Sequence, residues 1–205
     1  MANCCLTRDI LSGTGCDVES TGGLDKIFLF NKDDFTVTTD SCGAVTDLIP
    51  CSDYKCIYKF EPADETANTS YEITETNGKY MVSMILNANV IIASCDEQAA
   101  IAEMMGAKLV VVVLDNAGNY RIGGHVGRGF KLKTGSGDTG KLVTDESVDT
   151  IELQTTEPGK RGGWKFLLPG TDVQTKAERL ALAKELIDGL VCSSSGDEDC
   201  GCEGN

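Results

Sequence analysis

A glycine-rich run comes closest to a motif for chemistry: Gly135-Ser136-Gly137-Asp138-Thr139-Gly140-Lys141-Leu142. In a phosphate-binding loop, backbone N–H groups hold the phosphates, a lysine reaches the terminal phosphate, and a Ser or Thr hydroxyl holds Mg²⁺. Here Leu142 occupies the hydroxyl position. The following residues, VTDESVDT, do not predict the helix whose N-terminus completes such a site. We therefore interpret the run as a mobile, solvent-facing hairpin loop that does not bind nucleotide.

The single histidine, His125, lies in a second glycine-rich run, GGHVGRG. These glycines do not open a helix, so a dinucleotide-binding fingerprint is rejected. One histidine also excludes a zinc site built on two or three histidines. A Ser–His or Cys–His pair would have to use His125, but no nucleophile motif accompanies it. We expect a structural histidine in a strand or turn.

The cysteines are the remaining candidates for metal or redox chemistry. Their spacing lacks the two CxxC pairs of a zinc ribbon. A thiolate zinc site built from distant cysteines stays open, as do crosslinks formed by oxidation in an extracellular particle. The N-terminus has no signal-peptide pattern, so we expect mostly reduced thiols that pack as small apolar side chains. The ten cysteines are Cys4, Cys5, Cys16, Cys42, Cys51, Cys56, Cys95, Cys192, Cys200 and Cys202.

Charge and composition restrict the class of protein. The chain has 205 residues, with 32 acidic and 18 basic side chains and a net charge of −14. Such a surface repels nucleic-acid phosphates and anionic membranes, but it suits a duct through which DNA slides. No apolar run reaches the roughly 18 residues that a membrane span needs. With no constellation of catalytic residues, we expect neither an enzyme nor a cofactor.

Strand patterns dominate the first two thirds of the chain. Asn77-Gly78 stands between two alternating runs and predicts a tight hairpin, because both residues tolerate the positive φ of a type I′ turn. A short helix is predicted over Asp96–Gly106 and a strand buried on both faces over Lys108–Leu114. Further predictions are strands at Asp25–Phe30, Phe35–Thr39 and Lys55–Phe60, a loop at Asp40–Asp53, a hairpin from Lys108–Leu114 into Tyr120–Gly124, and a pairing of Phe130–Lys133 with Asp149–Thr155.

The longest helical pattern runs from Thr171 to Val191, with Thr171 or Asp172 as its cap. Its apolar stripe is expected to pack on the open face of the sheet or on a neighbouring subunit. The candidate self-assembly residues on this stripe are Val173, Leu180, Ile187 and Leu190. The chain thus divides into an irregular cysteine-containing arm (1–23), a β domain (24–170), this helix (171–191) and a flexible acidic tail (192–205).

The order of these elements resembles the tail-tube family of tailed bacteriophages. The resemblance is carried over 69–157 by the hairpin YEITETNGKYMVSMIL, the helix DEQAAIAEMMG, the strands KLVVVVLDNAGNYRIGG, and the loop GSGDTGK leading into DTIELQTTEP. The opening GGLDKIFLFN is similar to structural proteins of Bacteroides-infecting, crAss-like phages. The arm, the C-terminal helix and the acidic tail depart from a minimal tube subunit.

The resemblance implies a mainly β (α+β) subunit: an antiparallel β-barrel or sandwich with a short flanking helix and a longer C-terminal helix. It further implies a virion protein, assembled in the host cytoplasm, that forms a homomeric ring of six or more copies in the tail or neck. Other tail or neck proteins would be its partners, and genomic DNA would pass without specific binding. The alternatives are a surface adhesin or carbohydrate-binding β domain, for which Trp164 is the aromatic to check, and a small hydrolase or nucleotide-binding enzyme.

Overall fold

The computed structural model describes residues 23–52, 55–63, 66–91, 94–138, 148–159, 162–170 and 174–192. The arm before Gly23, the tail after Cys192, and Lys141 and Leu142 lie outside these residues. Within them are β1 Leu24–Asn31, β2 Phe35–Thr39, β3 Val45–Pro50, β4 Tyr58–Phe60, β5 Asn68–Thr76, β6 Lys79–Val90, α1 Cys95–Met104, β7 Leu109–Asp115, β8 Tyr120–Gly123, β9 Lys131–Asp138, β10 Val148–Pro158, β11 Lys165–Phe166 and α2 Lys176–Leu190.

The strands form two main antiparallel sheets. One has five strands in the order β11-β8-β7-β1-β4, and the other has four strands in the order β5-β6-β10-β9. Strands β2 and β3 make a separate two-stranded ribbon. The expected mainly β fold with two helices is confirmed, but in the described residues the sheets do not close into a barrel. They face each other as layers.

The first hydrophobic core lies between the two sheets. Strand β6 alternates buried and half-buried residues from Met81 onward, as expected when one face of a strand packs inward. Met104 closes this core from α1. The residues of this core that lie on the two sheets are Ile27, Leu29, Val82, Met84, Leu86, Ala88, Val90, Leu109, Val111, Val113, Ile151 and Leu153.

A second core covers the opposite face of the five-stranded sheet. There the β2–β3 ribbon contributes Phe35, Val45 and Leu48, and α2 contributes Ala183 and Ile187. Strand β7 therefore supplies alternate residues to both cores, which confirms the prediction of a strand buried on both faces. The molecule has three layers, with the five-stranded sheet in the middle.

The Asn77-Gly78 hairpin is confirmed. Asn77 has φ +54° and Gly78 has φ +74°, and Thr76 pairs directly with Lys79 across the turn. Two central residues with positive φ are the signature of a type I′ turn, whose twist matches that of the strands. The hairpin from β7 into β8 and the pairing of β9 with β10 are confirmed as well.

Both helices begin at capping boxes. Ser94 caps α1 with Glu97, close to the predicted start, whereas α2 is capped by Thr175 with Glu178. The prediction that Thr171 or Asp172 caps α2 is therefore wrong. The Thr-x-x-Glu pattern at Thr175 satisfies two backbone N–H groups reciprocally, and this fixes the helix start four residues later than the apolar stripe suggested.

The expected loop over Asp40–Asp53 is partly wrong, because Val45–Pro50 forms β3. Val45 and Leu48 point into the second core, and Pro50 stands at the end of the strand. A terminal position in a two-stranded ribbon tolerates a proline that cannot donate a ladder hydrogen bond. The tight turn at Asp40, whose carboxylate accepts from the N–H groups of Cys42 and Ala44, accounts for the loop-like composition before it.

A disulfide joins Cys56 to Cys192, so these two thiols are not reduced as expected. Backbone pairing supports the link: the N–H of Ile57 donates to the carbonyl of Leu190, and the N–H of Cys192 donates to the carbonyl of Ile57. The C-terminal end of α2 is thereby held against the segment before β4. Cys42, Cys51 and Cys95 are free, as expected, but they are exposed and do not pack as apolar side chains; the other five cysteines lie outside the described residues.

We predict that Gly78→Val lowers the free energy of unfolding by about 1–2 kcal/mol, because a β-branched side chain resists positive φ. Gly135→Val is the matched control: Gly135 lies in β9 without positive φ, and no atom lies within 4 Å of a Cβ placed there. Urea unfolding measures both variants. Equal stability of the two variants would contradict the type I′ turn.

We predict that the double variant Cys56→Ser/Cys192→Ser loses about 2–4 kcal/mol of stability, because the unfolded chain is no longer constrained by a link across 136 residues. Adding a thiol reductant to the original chain should give a similar loss. The control is Cys51→Ser, an exposed free thiol whose replacement should leave the unfolding midpoint unchanged. If the reductant has no effect on the original chain, this disulfide does not stabilise the fold.

Candidate functional site

The β5–β6 hairpin presents apolar side chains that its own subunit leaves uncovered. Tyr71 and Ile73 pair with Met84 and Val82, so they lie on the core side of the four-stranded sheet. Nevertheless Tyr71 is 63% exposed and Ile73 60% exposed, and Tyr80 on the same side is 56% exposed. We call Tyr71, Ile73 and Tyr80 the hairpin face. Tyr71 and Ile73 border a groove whose opposite side includes Val113 and Arg121 of the five-stranded sheet, so the two sheets do not pack tightly there.

The four-stranded sheet also has two long open edges. Strand β5 has nine residues, of which only Thr69 is even half-buried, and β9 at the other edge has eight. In the five-stranded sheet the edge strands β4 and β11 have only three and two residues. Proteins commonly shorten edge strands to prevent pairing with other chains, so the long edges of the four-stranded sheet stand out.

The two long edges carry opposite charges. Strand β5 (NTSYEITET) contains Glu72 and Glu75 and no basic residue. Strand β9 (KLKTGSGD) begins with Lys131 and Lys133, whose side chains are exposed, and ends at Asp138, so its net charge is positive. Opposite charges that face each other across a strand pair are favourable, so the edges are electrostatically complementary.

The predicted self-assembly residues on α2 lie mostly inside the subunit. Ile187 is fully buried in the second core, and Leu190 packs against that core. Leu180 is half-buried, and Val173 lies outside the described residues. Of the two packing partners considered for the helix, its own sheet is the one found. Ile187 is therefore unavailable to a neighbouring subunit.

The glycine-rich candidate for nucleotide binding is partly a strand. Gly135 to Asp138 belong to β9 and pair with β10, so this half is not the solvent-facing loop that we expected. Backbone groups that pair with β10 are not available to hold phosphates. The residues from Thr139 to Leu142 lie outside the described residues.

Glu157 organises the second glycine-rich run and was not singled out in the sequence. Its side chain is fully buried. One carboxylate oxygen accepts from the N–H groups of Val126 and Gly127 at 3.1 and 3.0 Å, and the other accepts from the N–H of Gly163 at 3.3 Å. Alternate residues of a strand share a face, so Glu157 lies on the same face of β10 as the core residues Ile151 and Leu153. This alternation is the sequence signal that could have revealed Glu157.

Glycines make room for this carboxylate. A Cβ at Gly127 would lie 2.9 Å from Cγ of Glu157, and a Cβ at Gly162 would lie 2.5 Å from its Cβ. Of the glycines around His125, Gly127 therefore serves close backbone approach to a buried acid. Glu157 ties the loop that carries His125 to the segment that leads into β11.

His125 lies beside two lysines. Its carbonyl accepts a hydrogen bond of 2.7 Å from Nζ of Lys32. Burial, followed by the positive charges of Lys32 and Lys165, lowers the pKa of His125 to about 4. The imidazole is therefore neutral at pH 7. No carboxylate or thiol partner of a catalytic pair contacts it in the described residues, in line with a structural histidine.

Trp164 packs as a core residue at the end of the sandwich. Its ring lies 5.5 Å from that of Phe130 and contacts the first core. It also borders a groove of about 480 Å³ that includes Tyr71 and Arg121. Among the described residues the indole N–H is buried without a hydrogen-bond partner, and the side chain as a whole is half-buried.

The described residues contain no group of three or more His, Cys, Asp or Glu side chains arranged to hold a metal ion. None of the helices in these residues is long and apolar enough to cross a membrane.

Comparison with known proteins finds no match: no family model fits the sequence, and no curated protein or solved structure is significantly similar. The functional argument therefore rests on the chain's own surfaces.

We predict that Glu157→Gln destabilises the protein by about 1–3 kcal/mol, because one amide N–H₂ would face backbone N–H donors and leave them unpaired. Glu152→Gln on the same strand is the control, since Glu152 is only half-buried. Thermal unfolding compares the two variants. Equal melting temperatures would show that the buried carboxylate does not hold the glycine-rich loops.

Proposed function

We propose that this protein is a virion structural component that assembles with copies of itself into a ring or tube of a bacteriophage tail or neck. The observation that carries the proposal is the four-stranded sheet with two long, open and oppositely charged edges. The sequence resemblance to tail-tube proteins points in the same direction.

Strand direction favours head-to-tail addition of copies. All neighbours in the four-stranded sheet are antiparallel, so β5 at one edge and β9 at the other run in opposite directions. If a second copy is placed in the same orientation, its β9 runs antiparallel to β5 of the first. The alternation then continues from one subunit into the next. A heterologous contact of this kind gives a closed ring if the rotation between copies closes.

The hairpin face gives such a contact an apolar component. Tyr71 and Ile73 lie on β5 itself, next to the edge that would pair. Covering exposed side chains of this size contributes about 1.5–3 kcal/mol each when burial is complete. Pairing between Glu72 or Glu75 and Lys131 or Lys133 would set the register rather than supply most of the affinity.

The outer face of the four-stranded sheet fits the wall of a channel for DNA. Its half-buried or exposed residues are mainly polar, such as Ser83, Asn87 and Gln154. With a net charge of −14 on each subunit, a ring carries a net negative charge that repels DNA phosphates. The genome would therefore pass without being held. Other tail or neck proteins would contact the ends of the ring.

We predict that Ile73→Lys prevents assembly while the subunit stays folded, because a charge enters the apolar part of the interface and Ile73 is 60% exposed in the subunit. The matched control is Met105→Lys, which places the same charge at a 69% exposed residue at the end of α1. Sedimentation velocity measures assembly, and circular dichroism checks folding. The proposal fails if both variants assemble as well as the original chain.

Electron microscopy of the purified assembly tests the ring directly. We expect a closed ring of six or more copies whose central channel carries net negative charge. A purely monomeric protein at high concentration, or a channel lined by lysine and arginine, would contradict the proposal.

A further inference from the structure

A second surface, separate from the sheet edges, collects positive charge. A pocket of about 770 Å³ lies between the β2–β3 ribbon and the loop that carries His125. Its charged or titratable borders include Lys32, Lys165, His125 and Asp40, and its floor includes Phe35 and Val110. A basic pocket is unexpected on a chain with a net charge of −14.

The two lysines of this pocket have no carboxylate partner within ion-pair distance in the described residues. Elsewhere Lys55, Lys59 and Lys184 each pair with an acid. Lys32 donates one hydrogen bond to the carbonyl of His125, which leaves two of its three N–H donors. Each ammonium group is therefore able to bind a further acceptor.

Asp40 borders the pocket and offsets one of its two positive charges. Its Oδ1 accepts from the N–H groups of Cys42 and Ala44, at 2.8 and 2.9 Å, and these bonds hold the carboxylate in its own turn. The pocket therefore keeps a net positive charge for a ligand.

His125 borders the pocket with a ring whose pKa of about 4 leaves it neutral at pH 7. Its Nδ1 is buried without a hydrogen-bond partner in the described part of the chain, so this nitrogen does not open into the pocket. The imidazole is fixed in place because Glu157 holds the N–H groups of the next two residues, Val126 and Gly127.

We propose that this pocket binds a phosphate group, or a similarly compact oxyanion, between the ammonium groups of Lys32 and Lys165. Two ammonium groups supply charge-assisted hydrogen bonds, which are stronger than neutral ones. The elements that carry them are fixed: Lys32 follows β1, and Lys165 lies in β11. Binding here does not depend on the assembly of copies.

Calorimetric titration with inorganic phosphate tests the site, with sodium chloride keeping the ionic strength constant. We expect saturable binding of one phosphate per chain. Lys165→Gln should weaken it at least about tenfold, because one charge-assisted interaction is lost. Lys176→Gln removes an exposed lysine at the start of α2 that does not border the pocket, and it should change the affinity less than about twofold.

The protonation of His125 gives a second readout. The groups bordering its pocket are Lys32, Lys165, Asp40 and Cys42. A bound phosphate offsets the two positive charges, so the pKa of His125 should rise from its value of about 4. NMR titration of the imidazole, with phosphate and with chloride, measures this shift.

Three outcomes would overturn the proposal: no saturable binding at millimolar phosphate, equal loss of affinity in the Lys165→Gln and Lys176→Gln variants, or an unchanged pKa of His125 at saturation. Because the titration is carried out on the Ile73→Lys variant as well as on the original chain, failure of phosphate binding and failure of assembly are recorded separately.

Discussion

The fold depends on one constraint, the burial of the five-stranded sheet on both faces. A strand in such a sheet cannot alternate between apolar and polar residues, and β7 meets this requirement with five consecutive buried residues from Leu109 to Val113. The two faces need separate covers. The four-stranded sheet covers one face, and the β2–β3 ribbon together with α2 covers the other. Each outer layer is held by its contact with this central sheet.

The layers that pack on the two faces of the five-stranded sheet enclose their cores to different degrees. This difference distinguishes the structural surfaces from the candidate functional ones. On the side of α2, the ribbon, the helix and the disulfide enclose the second core. The four-stranded sheet, in contrast, leaves a groove between Tyr71 and Ile73 and the central sheet, and both side chains are exposed. Within the described residues its edge strands β5 and β9 have no strand partner on their outer sides. Exposed apolar area next to an open edge is a surface on which another chain can add.

Sequence patterns predicted the local elements well where a strong local signal exists. Asn77-Gly78 determines its turn by backbone sterics alone, and the apolar run of β7 implies two-sided burial. The start of α2 was misplaced because an apolar stripe shows which face of a helix is buried but not where the helix begins. The capping pair Thr175 and Glu178 marks the beginning of α2. The strand β3 was missed because Pro50 and the polar turn before it conceal two core residues.

The candidate sites were harder to predict, because they depend on residues far apart in the chain. Glu157 meets Val126 across 31 positions, and Lys32 meets His125 across 93. No local sequence pattern predicts such a long-range contact. The exposure of the hairpin face also depends on the groove between the two sheets, which periodicity within one strand cannot reveal. For the same reason, the apolar stripe on α2 correctly predicted that this face of the helix is buried. It did not indicate whether the helix packs on its own sheet or on a neighbouring subunit.

The covalent link between Cys56 and Cys192 has a mechanical consequence. When the chain is pulled at its two ends, tension follows the shortest covalent path. That path enters along β1, β2 and β3, reaches Cys56, crosses the sulfur–sulfur bond and leaves at Cys192. The intervening residues, which include the whole four-stranded sheet, carry no load along their backbone. A pull on the N-terminal arm or the C-terminal tail would therefore strain the ribbon and the first strand while the sheet with the open edges keeps its shape.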